Sequence, residues 1–256
     1  MIQKIEFNIP ELDSMKKTPK SLNYIGNLKL LSKQKISIIG TRRPSSYTKM
    51  QTARLASELG RRGICIVSGA AMGVDAISHK NAKSHNTIAV MANGLDIRYP
   101  NVNKSIIEGI ETHGLVLSEY EAGIKAAPWS FVVRNEIVVA LGDILIVAEA
   151  DLKSGSMRSV EFALKMKKEI VVLPHRLNES LGTQYLLKNN LAKAVYDIEE
   201  FCSSFGDMDS LKSDDFLEYC KTNPTYEEAI SLYSDKVFEY ELSGKIELVN
   251  GVIKIV

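Results

Sequence analysis

Six short apolar runs, rich in β-branched side chains, recur at helix-length intervals along most of the chain. They are Ile36–Gly40, Ile64–Gly69, Thr87–Ala92, Leu115–Glu119, Ile144–Ala150 and Glu169–Pro174. Their apolar residues are continuous rather than alternating, which is the pattern of strands buried on both faces. The segments between them carry helical spacing, as in Leu55, Ala56 and Leu59, or Val160, Ala163 and Leu164. Strand–helix alternation of this kind requires right-handed crossovers and a parallel sheet covered on both sides. The predicted fold class is α/β, a Rossmann-like parallel sheet sandwich.

After Phe201 the pattern changes, and the chain divides into a main domain over 1–205, a small polar linker over 206–212 and a second domain over 213–256. In the last, Asp215–Lys221, Tyr226–Tyr233 and Lys236–Leu242 read as helices, and Ile246–Val249 and Val252–Val256 as strands flanking Asn250-Gly251. Asn-Gly between apolar strands is a strong hairpin signal, and three helices followed by a hairpin is the winged-helix order. A length of 256 residues accommodates one large and one small domain. The formal charge of +1 hides an asymmetry: residues 1–200 carry 27 Lys and Arg against 20 Asp and Glu (+7), whereas residues 201–256 carry 5 against 11 (−6). With 45% hydrophobic and 25% charged residues, disordered, collagen-like and disulfide-scaffold classes are excluded. Cys65, Cys202 and Cys220 are too scattered for a zinc ribbon or disulfide frame, so a reduced cytoplasm is expected. No run resembles a signal peptide or approaches the roughly 18 apolar residues of a membrane span, so membrane insertion is not expected.

In a parallel sheet, ligands bind beyond the carboxyl ends of the strands, where helix N-termini favour anions. Three loops there have a phosphate-binding composition. Gly40-Thr41-Arg42-Arg43 offers a glycine, a hydroxyl and two guanidiniums that fork onto phosphate oxygens. Ser68-Gly69-Ala70-Ala71-Met72-Gly73-Val74-Asp75 is a second glycine loop. It lacks the middle glycine and the acidic strand end of a dinucleotide fingerprint, so no nicotinamide cofactor is expected. Lys153-Ser154-Gly155-Ser156 is the third, although its serines serve equally well as an ordinary helix cap. Trp129, Phe131, Arg134 and Asn135 set rings beside a cation and an amide. Such a group either stacks and neutralises single-stranded nucleic acid or packs a helix onto the sheet.

Enzymatic chemistry finds little support. His79, His85, His113 and His175 lack metal-pair spacing, so no metal is expected. Asp75, Asp96, Glu119 and Asp151 form no local acid–base pair. Cys65 sits inside an apolar strand as a buried thiol, and no G-x-S-x-G elbow surrounds Ser68.

Taken together, IIGTRRPS, IVSGAAMGVDAISHK, TIAVMANGLDIRYP, LSEY, FVVRN, the Lys153–Ser156 loop and Gly182-Thr183 resemble, in order and spacing, the DNA-processing protein A family (DprA, also called Smf). The resemblance runs from about Leu22 to Phe201 and is to the forms with a short winged-helix C-terminal domain. It implies an extended Rossmann fold, a homodimer, and no enzymatic activity. It further implies a protein that binds and protects incoming single-stranded DNA and loads the recombinase RecA in natural transformation and recombination. The implied DNA-binding residues are Gly40, Thr41, Arg42 and Arg43; Ser68, Gly69, Ala71 and Gly73; Phe131, Arg134 and Asn135; and Lys153, Ser154, Gly155 and Ser156. Arg42 is expected on a phosphate and Phe131 under a base. Met72 stands where most members have arginine, and Ala92 where they have glycine. The net −6 of residues 201–256 repels phosphate, so the C-terminal domain is expected to contact protein. The competing reading is a phosphoribohydrolase-like enzyme on a related Rossmann fold. Its P-G-G-x-G-T-x-x-E signature is absent, because Met157 and Arg158 follow the serine loop.

Overall fold

The computed structural model describes residues 1–206, 215–242, 244–249 and 251–255. The chain divides into two compact units, Met1–Gly206 and Asp207–Val256. Residues 207–212 of the expected linker and Asn250 of the expected hairpin lie outside the described residues.

The first unit runs β1 (Gln3–Lys4), β2 (Asn23–Gly26), β3 (Lys35–Ile39), α1 (Ser46–Arg61), β4 (Cys65–Ser68), α2 (Val74–Asn81), β5 (Thr87–Val90), α3 (Lys104–His113) and β6 (Leu115–Ser118). It continues with α4 (Pro128–Leu141), β7 (Ile144–Val147), α5 (Gly155–Lys165), β8 (Glu169–Val172), α6 (Leu181–Lys188), β9 (Lys193–Ala194) and α7 (Ile198–Ser203). Among the described residues these strands form one sheet in the order β1-β2-β6-β5-β4-β3-β7-β8-β9. All six apolar runs are strands, and β6 through β9 pair in parallel.

The sheet is nevertheless mixed, because β2 pairs antiparallel with β6 and β1 antiparallel with β2. These added strands, with β9, were not expected, because each is too short or too polar to show a buried run.

Both faces are covered. Ile36, Ile38 and Ile146 pack with Leu55, Ala56 and Leu59 of α1. Leu145 and Val147 face Ile137, Leu141 and Val160 on the other side. Full burial of each such side chain stabilises by about 2 kcal/mol. α1 starts where the Ser45 hydroxyl accepts the Thr48 N–H at 3.2 Å, an N-cap; it ends at Arg62, ahead of Gly63 at φ +75°. α4 opens with Pro128 in its first turn, where no helical donor is lost.

β3 has β4 on one side and β7 on the other. The chain leaves β3 in one direction and later returns beside it, which opens a crevice at the carboxyl ends of these two strands. The loops there are stitched together, with the Thr41 N–H donating to the Glu149 carbonyl at 2.9 Å and the Ala148 N–H to that of Ile39 at 2.9 Å.

In the second unit α8 (Asp215–Cys220) precedes α9 (Tyr226–Leu242), β10 (Ile246–Val249) and β11 (Val252–Ile255). The two helices expected over 226–242 are both present within α9, separated by a kink at Tyr233, whose backbone is non-helical (φ −140°, ψ 36°). β10 and β11 pair antiparallel, with Val249 opposite Val252 and Gly251 at φ +82° in the turn. Phe216, Cys220, Ala229, Val237, Ile246 and Ile253 make the core of this unit. Among the described residues no helix is long and apolar enough to cross a membrane.

Candidate nucleic-acid interface

Glycine lets the first two loops approach each other. A Cβ on Gly40 would lie 2.6 Å from a Val74 methyl, and one on Gly73, at φ +79°, would overlap the Thr41 carbonyl. That close fit sets the exposed Arg42 above α4. Its guanidinium carbon lies 5.3 Å from the centre of the Phe131 ring, and that of Arg134 lies 5.8 Å from it. Tyr99 tilts against the same ring at 6.1 Å. A cleft of about 580 Å³ opens here; its walls include Gly40, Thr41, Arg42, Ala71, Phe131, Arg134, Asn135, Ser154, Gly155 and Ser156. A small annex of about 20 Å³ adjoins it, lined by Gly69, Met72, Asn93, Tyr99 and again Arg42 and Phe131.

α5 points its N-terminus at this cleft. The Ser154 hydroxyl accepts the Met157 N–H at 3.4 Å, and the space where a Gly155 side chain would stand is open. Free N–H groups and the helix dipole at such an end favour an anion. Arg43 and Lys153 are exposed but do not line the cleft.

Ser68, Gly73 and Arg134, by contrast, are held by the protein itself. Ser68 is fully buried and donates its hydroxyl to the Ile38 carbonyl at 2.6 Å, across the β3–β4 pair. Gly73 is a packing glycine under Thr41. Arg134 is 4% exposed and donates to the backbone carbonyls of Gly69 and Val90.

Beneath the loops lies a buried charged layer. Burial pushes the Asp75 carboxyl up while the Arg134 charge pulls it down. His79 is driven down to about 3, by burial first and the Arg134 charge second, and is therefore neutral. Its Nε2 accepts the Ala70 N–H at 3.3 Å while Nδ1 lies 2.6 Å from the Thr87 hydroxyl. Glu149, beside β3, is raised by partial burial, but hydrogen bonds from Thr48 and Ser45 outweigh this and hold it below the ordinary range.

Tyr99, Asn93, His79 and Asn103 were not singled out as site residues by sequence. For Tyr99 the available signal was an aromatic in a polar loop of a chain with only 7% aromatics. Among the described residues no His, Cys, Asp and Glu cluster could hold a metal. Burial pushes the Cys65 thiol up to about 12, so it is no nucleophile.

Comparison with known proteins places this arrangement. The family model of DNA recombination-mediator protein A matches residues 4–206. Protein DprA of Bacillus subtilis, a DNA processing protein, is 36% identical over 194 residues, covering 74% of this chain and 65% of that protein. Protein Smf of Synechocystis is 33% identical over 196 residues, covering 73% and 49%. The chain thus spans about half to two thirds of the length of these relatives. A structure reporting the single-stranded DNA binding mode of DNA processing protein A from Helicobacter pylori aligns with TM-score 0.78 and 44% identity, covering 79% of this chain and 94% of that one. DprA of Streptococcus pneumoniae aligns with TM-score 0.73 and 31% identity, covering 81% and 75%. With its sheet, its loops and nearly the whole first unit matched, the chain belongs to the DNA recombination-mediator protein A family.

Proposed function

We propose that the cleft beyond β3, β4 and β7 binds single-stranded DNA, and that the protein acts in DNA processing during transformation and recombination. The observation that carries this reading is the exposed Arg42 guanidinium set against the Phe131 ring at the mouth of a cleft that also receives a helix N-terminus. Arg42, with Arg43, Lys153 and Arg158 near the rim, neutralises phosphates and releases counterions, so affinity is salt dependent and largely sequence independent. The N-terminal amides of α5 take a further phosphate oxygen. Phe131 and Tyr99 offer faces on which bases stack, a contact worth about 1–3 kcal/mol per base. A duplex keeps its base faces hidden, so single strands are preferred. The Helicobacter pylori relative supports the same ligand class.

In this reading the protein works as a homodimer in the cytoplasm, protects incoming strands and hands them to the recombinase RecA. Three free, buried cysteines suit a reduced compartment. The second unit is winged-helix-like, and its acidic balance suits protein contacts better than phosphate. Its helix–helix–hairpin order supports the first point, and its 5 basic against 11 acidic residues the second. The role is binding rather than catalysis.

The test is fluorescence anisotropy of a labelled oligo-dT with a duplex competitor. Wild type should bind and be poorly displaced by duplex, and Phe131→Ala should bind about tenfold or more weakly. Equal competition by duplex, or an unaltered Phe131→Ala, would contradict the proposal.

A further inference from the structure

The loop Gly69–Met72, which leaves β4 and borders the cleft and its annex, is held by buried side chains at five of its backbone polar groups. The Gly69 carbonyl accepts from Arg134 Nη1. The Ala70 N–H donates to His79 Nε2, and its carbonyl accepts from Asn103 Nδ2 at 2.9 Å. The Ala71 N–H donates to Asp75 Oδ2 at 3.3 Å, and its carbonyl accepts from the same Asn103 amide at 3.0 Å. The four side chains come from α2, α4 and the turn before α3, and none is more than 7% exposed. Ala70 stands at φ +54°, a left-handed conformation unusual for a residue with a Cβ. Backbone of that kind persists only where its surroundings over-determine it.

Arg134 is the hub. Its Nη1 also donates to the Val90 carbonyl at 2.8 Å, tying the ends of β4 and β5 to α4, and its Nε donates to Asn135 Oδ1 at 2.9 Å. The guanidinium occupies the space a Gly69 side chain would need, and it lies on Phe131. Its Nη1 is committed to strand-end carbonyls and its Nε to Asn135, and the side chain is 4% exposed, so a phosphate in the cleft would meet a guanidinium already engaged by the protein.

We propose that Arg134 is a positioning residue, which sets the Gly69–Met72 loop and the Phe131 ring and makes no contact with phosphate; this rests on reading the cleft as a single-strand site. Arg42, exposed on the same ring, carries the charge that meets DNA. The arginine of the F-x-x-R-N motif thus acts through backbone geometry.

The test compares full-length wild type, Arg42→Ala, Arg134→Met and Gly69→Ala in oligo-dT anisotropy across a salt series. Arg134→Met should bind about tenfold more weakly, the scale of losing charged hydrogen bonds, with the wild-type slope of log affinity against log salt. Gly69→Ala keeps the charge but denies it its seat, so it should do the same, and the double variant should be no weaker than the weaker single one. A slope shallower by about 0.7 in Arg134→Met, the signature of one lost phosphate contact, would overturn the proposal, as would undiminished affinity. If Arg134→Met does not fold, Gly69→Ala and Asn103→Ala carry the same two outcomes. Amide hydrogen exchange without DNA separates this proposal from the single-strand reading. Ala70 and Ala71 should exchange faster in Gly69→Ala than in wild type whether or not DNA binds, and unchanged protection would overturn the positioning role.

Discussion

Two arginines meet one ring, and burial alone separates their work. Arg42 faces solvent, while Arg134 is 4% exposed and turned toward carbonyls. The family resemblance implied both as DNA contacts, because an arginine that serves backbone and one that serves a ligand are written with the same letter. Ser68, also implied as a DNA contact, has its hydroxyl turned to the Ile38 carbonyl. His79 shows the reverse case, given no site role by sequence and found supporting the Ala70 amide. Its depressed pKa of about 3 has a consequence for stability. The unfolded chain takes up a proton at His79 below about pH 6.5, whereas the native state refuses it. Stability therefore falls as pH drops from about 6.5 toward 3, by up to about 1.4 kcal/mol per unit. Asp75, raised by burial, works in the opposite sense but is present in wild type and variant alike. Thermal unfolding between about pH 7.5 and 5 should decline more steeply in wild type than in His79→Gln; parallel declines would contradict this assignment.

At the level of elements, the buried runs announced β3 through β8 because strands covered on both faces need continuous apolar sequence. β1, β2 and β9 left no such mark, since the two-residue edges β1 and β9 are exposed or half-buried and β2 is only partly covered. The loop chemistry was legible for a related reason, as glycine, hydroxyl and cation are compositional signals that survive without coordinates. What spacing could not supply was Tyr99, brought to Phe131 from a different crossover. In the serine loop Ser154 caps α5, as the plainer reading of the sequence had it, and Ser154, Gly155 and Ser156 also line the cleft. Ser154→Ala should cost about 1 kcal/mol of stability, the usual worth of an N-cap hydroxyl, and urea unfolding should show a lower midpoint with unchanged slope. An unchanged midpoint would mean that the cap carries no stability.

Across the whole molecule, the positive excess of residues 1–200 and the negative excess of residues 201–256 fall almost wholly into separate units. The family match ends at residue 206, with the first of them. Charge asymmetry and the change of pattern near Phe201 were readable from sequence, because composition shifts along a chain mark separate folding units. The central claim is that an exposed cation beside a stacking ring, set at the crossover point of a largely parallel sheet, grips single-stranded DNA. The most direct measurement is the salt dependence of oligo-dT binding by wild type and Arg42→Ala. One lost phosphate contact should make the log–log slope shallower by about 0.7 and weaken binding most at low salt. An identical slope in the two proteins, or no oligo-dT binding by wild type, would contradict the account.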